Sequence, residues 1–126
     1  MRTHLLYLSV VSALAGLLSC GCGKNTSSAP APLSEEQIPL VIAQTFNNSD
    51  KETQDQANQY INDVKNHDYP AAFEEVQQLA HRAGLTLDQR ATVARALMTT
   101  SQKVQEIAAN GDDRANQALN SYSSTK

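Results

Sequence analysis

The sequence contains no tryptophan, and aromatic residues of all kinds make up only 5% of it. A core must therefore be built mainly from Ala, Leu, Ile and Val, which predicts modest stability for a domain of this size. Beyond residue 20 there is also no alternating run of β-branched or aromatic residues, the pattern that indicates strands. These absences exclude a sheet-based domain and predict an all-α one.

The chain also has no excess of basic over acidic residues. The chain has ten Lys and Arg against thirteen Asp and Glu, and without Arg2 the balance falls to a formal charge of −4. A nucleic-acid-binding protein normally carries a concentrated basic stripe, whereas Arg82, Arg90, Arg95 and Lys103 are spread among Glu and Gln. We therefore expect no nucleic-acid partner.

Catalytic and metal-binding patterns are also lacking. No serine stands in a Gly-x-Ser-x-Gly turn. The one group of histidines and carboxylates close together in sequence does not follow the helical spacing of metal ligands and is interpreted as exposed or capping side chains: His67, Asp68, Glu74, Glu75 and His81. The sequence thus predicts no enzyme, no metal site and no cofactor.

What the sequence does contain is a secretion signal. A short region with Arg2 precedes an apolar run from Leu5 to Gly16, too short for the roughly 20 residues that span a bilayer. The run ends at Leu17-Leu18-Ser19-Cys20, which resembles the lipobox of bacterial lipoproteins. The resemblance implies a lipid on the Cys20 thiol, cleavage between Ser19 and Cys20, and acylation of the new amino terminus. An ordinary signal peptide cut nearby and an uncleaved anchor are the alternatives.

Lipidation of Cys20 would leave Cys22 as the only thiol, so no disulfide could form within the chain. Because each buried methylene contributes about 0.8 kcal/mol, several acyl chains would hold the protein on the membrane essentially permanently. Gly21 is not the Asp that resembles an inner-membrane retention signal. In a bacterium with two membranes, we therefore expect the outer membrane, facing the periplasm.

The remaining chain divides by composition. Residues 1–19 are the signal peptide, and residues 20–33 form a lipidated, flexible tether rich in Ser, Ala and Pro. Residues 34–122 form one helical domain, and residues 123–126 form a frayed tail.

Helix boundaries follow from capping patterns. Ser34-Glu35-Glu36-Gln37 and Thr86-Leu87-Asp88-Gln89 are capping boxes, and the acid pairs Glu35-Glu36 and Asp112-Asp113 suit helix N-termini. The predicted helices cover about 35–47, 50–66, 70–83, 86–110 and 112–122, and the first has an alternative start at Ile38 with Pro39 in its first turn. They indicate a small bundle or stacked helical hairpins of four to five helices.

The two clearest apolar stripes lie on either side of the short turn Gly84-Leu85-Thr86. Ala80 and Ala83 continue the stripe of the third helix. Because so short a turn makes its helices antiparallel neighbours, the stripes should face each other. The predicted core at their junction comprises Phe73, Val76, Leu79, Val93, Leu97 and Val104.

Around Tyr60 to Ala80 the sequence also resembles one tetratricopeptide-type hairpin. Asp68-Tyr69-Pro70-Ala71-Ala72 is similar to that family's turn into its second helix, with Ala72 as the small packing residue. Tyr60 departs from the pattern, and no second copy follows at the family's repeat length. The resemblance implies a helical scaffold for protein interaction.

Together these features predict a lipid-anchored cell-envelope protein, bound to the membrane through Cys20, whose helical domain binds another envelope protein or has a structural role. The alternative is an enzymatic or small-molecule-binding domain with a site built from scattered polar residues. An apolar groove would favour the first hypothesis, and an enclosed cavity with converging polar groups would favour the second.

Overall fold

The structure, a computed structural model, describes residues 30–124, so the lipobox, Cys20 and most of the tether lie outside the described residues. The described part contains five α-helices and no strand, which confirms the predicted all-α class. The helices are α1 (Ile38–Phe46), α2 (Lys51–Lys65), α3 (Tyr69–His81), α4 (Leu87–Ala109) and α5 (Asp113–Ser124).

Polar side chains cap the helices at the predicted places. The Thr86 hydroxyl accepts from the Gln89 backbone N–H at 3.2 Å, and the Gln89 side chain accepts from the Thr86 N–H at 3.0 Å, which completes the second capping box. Asp112 accepts from the Ala115 N–H at 2.8 Å. Each bond satisfies a backbone donor that a helix N-terminus leaves unpaired.

The first capping box also forms, but α1 begins later than the box. Ser34 and Gln37 exchange bonds of 3.0 and 3.3 Å across a turn, and α1 then starts at Ile38 with Pro39 in its first turn. Proline is tolerated there because the first-turn N–H groups have no partner within the helix. The alternative start at Ile38 is thus confirmed.

Two ends differ from the prediction. α3 stops at His81, and Ala80 and Ala83, expected on its buried face, are exposed. α5 continues to Ser124, beyond the predicted end at 122, with the hydroxyls of its last two serines donating to the Asn120 carbonyl. The sequence predicts that Gly84 closes α3 as a left-handed cap. It has the expected positive φ of +83°, which glycine adopts without strain, but the C-cap is Arg82, two residues earlier.

Helices α1 to α4 form an up-and-down four-helix bundle. α1 packs on α2 and α4, and α3 packs on α2 and α4, so α2 and α4 lie diagonally opposite in the described part of the chain. At the centre of the bundle Tyr60 and Thr100 bond across this diagonal at 2.7 Å. The Thr100 hydroxyl proton goes to the Ala96 carbonyl, so Tyr60 is the donor. α5 then packs against α3 and α4.

The core has two parts. The larger lies inside the bundle of α1, α2, α3 and α4 and includes Val76, Leu79 and Val93 from the predicted junction. The smaller lies under α5, where Phe73 and Val104 pack with Tyr69, Ala115 and Ala118. Leu97 is half-buried and contacts both parts. The six predicted residues therefore all pack in the core. They fall into two clusters, one inside the four-helix bundle and one under α5.

The chain just before α1 is packed on α4. Leu33 is only 3% exposed and belongs to the larger core cluster. The Thr99 hydroxyl donates to the Leu33 carbonyl, and Arg95 Nε donates to the Ala31 carbonyl at 2.7 Å. Residues 31–33, which the composition assigns to the tether, are thus held along the middle of the fourth helix.

We expect a fragment of residues 30–126 to be more stable than one of residues 34–126. The shorter fragment lacks the buried Leu33 side chain, a loss comparable to a Leu→Ala change in a core, about 2–5 kcal/mol. Urea unfolding followed by far-UV circular dichroism would measure the difference. Equal midpoints for the two fragments would contradict the packing of Leu33.

Candidate functional site

The structure separates the histidines of the sequence-predicted group. His67 precedes α3, and His81 is its last residue, so the length of a 13-residue helix lies between them. His81 borders clefts with Glu74 on one side and Glu75 on the other, while His67 lies at the opposite end of the bundle. Within residues 30–124, no three His, Cys, Asp or Glu side chains are grouped as metal ligands.

A polar cluster that the sequence did not predict joins three parts of the fold. The Tyr69 hydroxyl donates to Glu35, and Lys103 Nζ lies 2.7 Å from the other Glu35 oxygen. His67 Nδ1 lies 3.1 Å from the Tyr69 oxygen, and Lys103 also pairs with Glu106 at 3.3 Å. The sequence interpretation of Glu35 as a helix cap is therefore wrong: Ser34 caps the turn, and Glu35 bonds to α3 and α4 instead.

The pKa values of three groups in the cluster are shifted further away from 7. The hydrogen bond from Lys103, and then the one from Tyr69, lowers the pKa of Glu35 below its ordinary value of 4.5. Burial, followed by the bond to Glu35, raises the pKa of Tyr69 to about 12. The bond to Glu35 also raises the pKa of Lys103. At neutral pH Glu35 is therefore ionised, Lys103 is protonated and Tyr69 is neutral, and the cluster stabilises the junction of the α1 N-terminus, α3 and α4.

Tyr69→Phe should reduce the free energy of unfolding by about 1.5–3 kcal/mol at pH 7, the range for a hydrogen bond to a charged group. The penalty should shrink in acid. Because the folded-state pKa of Glu35 is lowered, the stabilisation from its charge is present above 4.5 and is lost as pH falls through the folded-state value. Urea unfolding at several pH values between 3 and 7 measures this.

Tyr60→Phe is the matched control. It removes a hydroxyl whose acceptor is the neutral Thr100, so the expected cost is about 0.5–1.5 kcal/mol and independent of pH over the same range. Burial raises the pKa of Tyr60 to about 12, so this hydroxyl does not titrate there either. If the stability loss of Tyr69→Phe were as independent of pH as that of Tyr60→Phe, the hydrogen bond from Tyr69 to the Glu35 carboxylate would be contradicted.

A polar cleft runs between α2 and α3. Its volume is about 600 Å³, and it is lined by Glu52, Asp55, Gln56, Glu75, Gln78, His81 and Arg82. Arg82 lies 3.1 Å from Glu52 and 3.6 Å from Asp50, and so connects the end of α3 to the start of α2. These ion pairs are largely exposed, and exposed pairs contribute little to stability.

A more apolar cleft lies between α3 and α5. It has a volume of about 410 Å³ and is lined by Glu74, Gln77, Gln78, His81, Ala118, Ser121 and Tyr122. The Tyr122 ring meets Phe73 edge-on, with centroids 5.6 Å apart, which fixes one wall of the cleft to the core. This cleft, here named the α3–α5 cleft, is open to solvent.

One further finding concerns the helices of the described part, and another concerns the comparison with known proteins. None of the helices within residues 30–124 combines the length and apolar character that crossing a membrane requires. No protein family, curated protein or solved structure that was compared matches this chain.

Proposed function

We propose that this chain is a lipid-anchored protein of the bacterial cell envelope whose helical domain binds another envelope protein. The observation that carries the anchoring is the Leu17-Leu18-Ser19-Cys20 sequence at the end of a short apolar run. The tether that follows is consistent with it, since a spacer of small residues and prolines separates the acceptor cysteine from the first core residue, Leu33.

The α3–α5 cleft supports the binding role. Within the bundle α3 lies diagonally opposite α1, the helix that follows the tether, and neither α3 nor α5 packs on α1. A partner could reach the cleft while the lipid holds the α1 side near the membrane. The half-buried Tyr122 offers apolar surface, and Glu74 and His81 supply polar groups at the edge, a composition found in protein-binding sites.

Site-specific photo-crosslinking in intact cells tests the binding role. A photoreactive amino acid at Ser121, in the cleft, should give a discrete protein adduct on irradiation. The same amino acid at Asn62, on the exposed side of α2, is the matched control and should not give that adduct. Identical adduct patterns at the two positions, or none at Ser121, would contradict protein binding at the cleft.

A further inference from the structure

The tether joins the domain beside an unoccupied helix surface. Residues 31–33 lie along α4, held by Arg95 and Thr99, and the exposed Pro30 leads from there toward Cys20. The neighbouring exposed positions on α4 recur every three or four residues and form one surface, here named the outer face of α4: Ala91, Ala94, Met98, Gln102 and Gln105.

The outer face of α4 is apolar and uncharged at its centre. Met98 is 47% exposed, one of three large apolar side chains exposed in the described part of the chain. Between Asp88 and Glu106 the helix has no carboxylate; Arg90 and Arg95 are basic, and Lys103 is paired with Glu35 and Glu106. This part of α4 therefore presents nothing that anionic lipid headgroups would repel.

The opposite side of the bundle is acidic. α2 lies diagonally across from α4, and its exposed or half-exposed acids Glu52, Asp55 and Asp63 outnumber its exposed Lys51 and Lys65 by one. Glu74 and Glu75 extend the acidic surface onto α3. A negatively charged bilayer would repel this side and favour orientations in which α4 is nearest to the membrane.

The length of the tether favours the same orientation. Ten residues lie between Cys20 and Ala31, and a flexible chain of that length would have an r.m.s. reach of about 16–19 Å. Crossing the bundle from α4 to the far side of α2 requires about 25 Å, from helix diameters of 10–12 Å and axis spacings of 8–10 Å. A lipid at Cys20 therefore holds α4 near the bilayer more readily than α2.

We propose that the outer face of α4, centred on Met98, lies against the phospholipid bilayer and turns α2 and the α3–α5 cleft away from it. The inference rests on the proposed lipid anchor at Cys20 and specifies how that anchor orients the domain. The acyl chains hold the protein at the membrane, while the tether exit and the charge distribution determine which face meets the headgroups.

The test attaches the mature chain, residues 20–126 with Cys22→Ser, through the Cys20 thiol to maleimide lipid in vesicles that contain anionic phospholipid. A fluorescent amino acid replaces Met98 in one sample and Asn62 in the other, and a headgroup nitroxide lipid acts as the quencher. We expect the probe at position 98 to lose most of its emission and the probe at position 62 to keep most of it.

Quenching that is equal at the two positions, or stronger at position 62, would overturn the orientation. The orientation would also be overturned if the probe at position 98 were unquenched and a photoreactive amino acid at the same position crosslinked to a protein in cells. That result would make this face a protein-binding site. Since the lipid is attached chemically, the vesicle result does not depend on whether cells lipidate Cys20. Failure of the proposed anchor would instead appear in cell fractionation.

Discussion

Phe73→Ala should destabilise the domain by about 3–5 kcal/mol, the usual cost of removing a fully buried aromatic side chain. Phe73 is 1% exposed, and its ring packs with Val104 and the two buried alanines of α5 while meeting Tyr122 edge-on. The substitution would leave a void where α3, α4 and α5 meet. Because small domains are stable by only about 5–15 kcal/mol, much of the population could unfold.

Thermal unfolding of the two proteins, followed by circular dichroism, measures the effect. For a domain of this size each kcal/mol corresponds to a Tm change of about 4–8 °C. Leu40→Ala is the control, since Leu40 is 62% exposed on α1 and its loss should change stability by no more than about 0.5 kcal/mol. An unchanged Tm for Phe73→Ala would contradict the packing of α5.

On the proposed lipid anchor, Cys20→Ala should leave the chain as an uncleaved precursor. In a lipoprotein the cleavage follows lipid transfer to the thiol, so removing the sulfur blocks both steps. The expected product retains residues 1–19 and is larger than the mature protein on a gel. Cell fractionation followed by immunoblotting measures the change.

Cys22→Ala is the control for that experiment, because it removes the neighbouring thiol and leaves the lipobox intact. It should be cleaved and retained in the membrane fraction like the unsubstituted protein. If Cys20→Ala were instead cut at the usual place and remained in the membrane fraction, the lipobox interpretation would be wrong.

The helices could be predicted because their signals are local. A capping box spans four residues, and both Ser34–Gln37 and Thr86–Gln89 form as expected. The turn at Gly84 is equally local, since φ +83° suits glycine. For α1 the sequence left two starts open, and the conformation of Pro39 in the assembled fold was needed to choose between them.

The tertiary contacts could not be predicted in the same way. Glu35 looks like a helix-terminal acid in sequence, and only the antiparallel packing of α1 on α4 brings it to Lys103. The position of Leu33 in the core likewise depends on Thr99 and Arg95, more than 60 residues away. Ala80 fits a helical stripe but lies where α3 has no neighbour to cover it, and it is exposed.

The α3–α5 cleft had one partial signal in the sequence. Ala115, Ala118 and Tyr122 have the helical spacing of an apolar stripe, which predicts that α5 packs on something. It does not say on which helix, because contact with α3 depends on how α4 ends and turns at Gly111. The cleft lies between α3 and α5, which α4 separates in the sequence. It could therefore be recognised only from the assembled fold.

Mass spectrometry of the mature protein, purified from membranes, tests the lipid anchor most directly. We expect an N-terminal peptide that begins at Cys20 and carries lipid on the thiol and an acyl group on the amine. A mature chain that begins at any other residue, or that has an unmodified Cys20, would contradict the proposed lipid anchor.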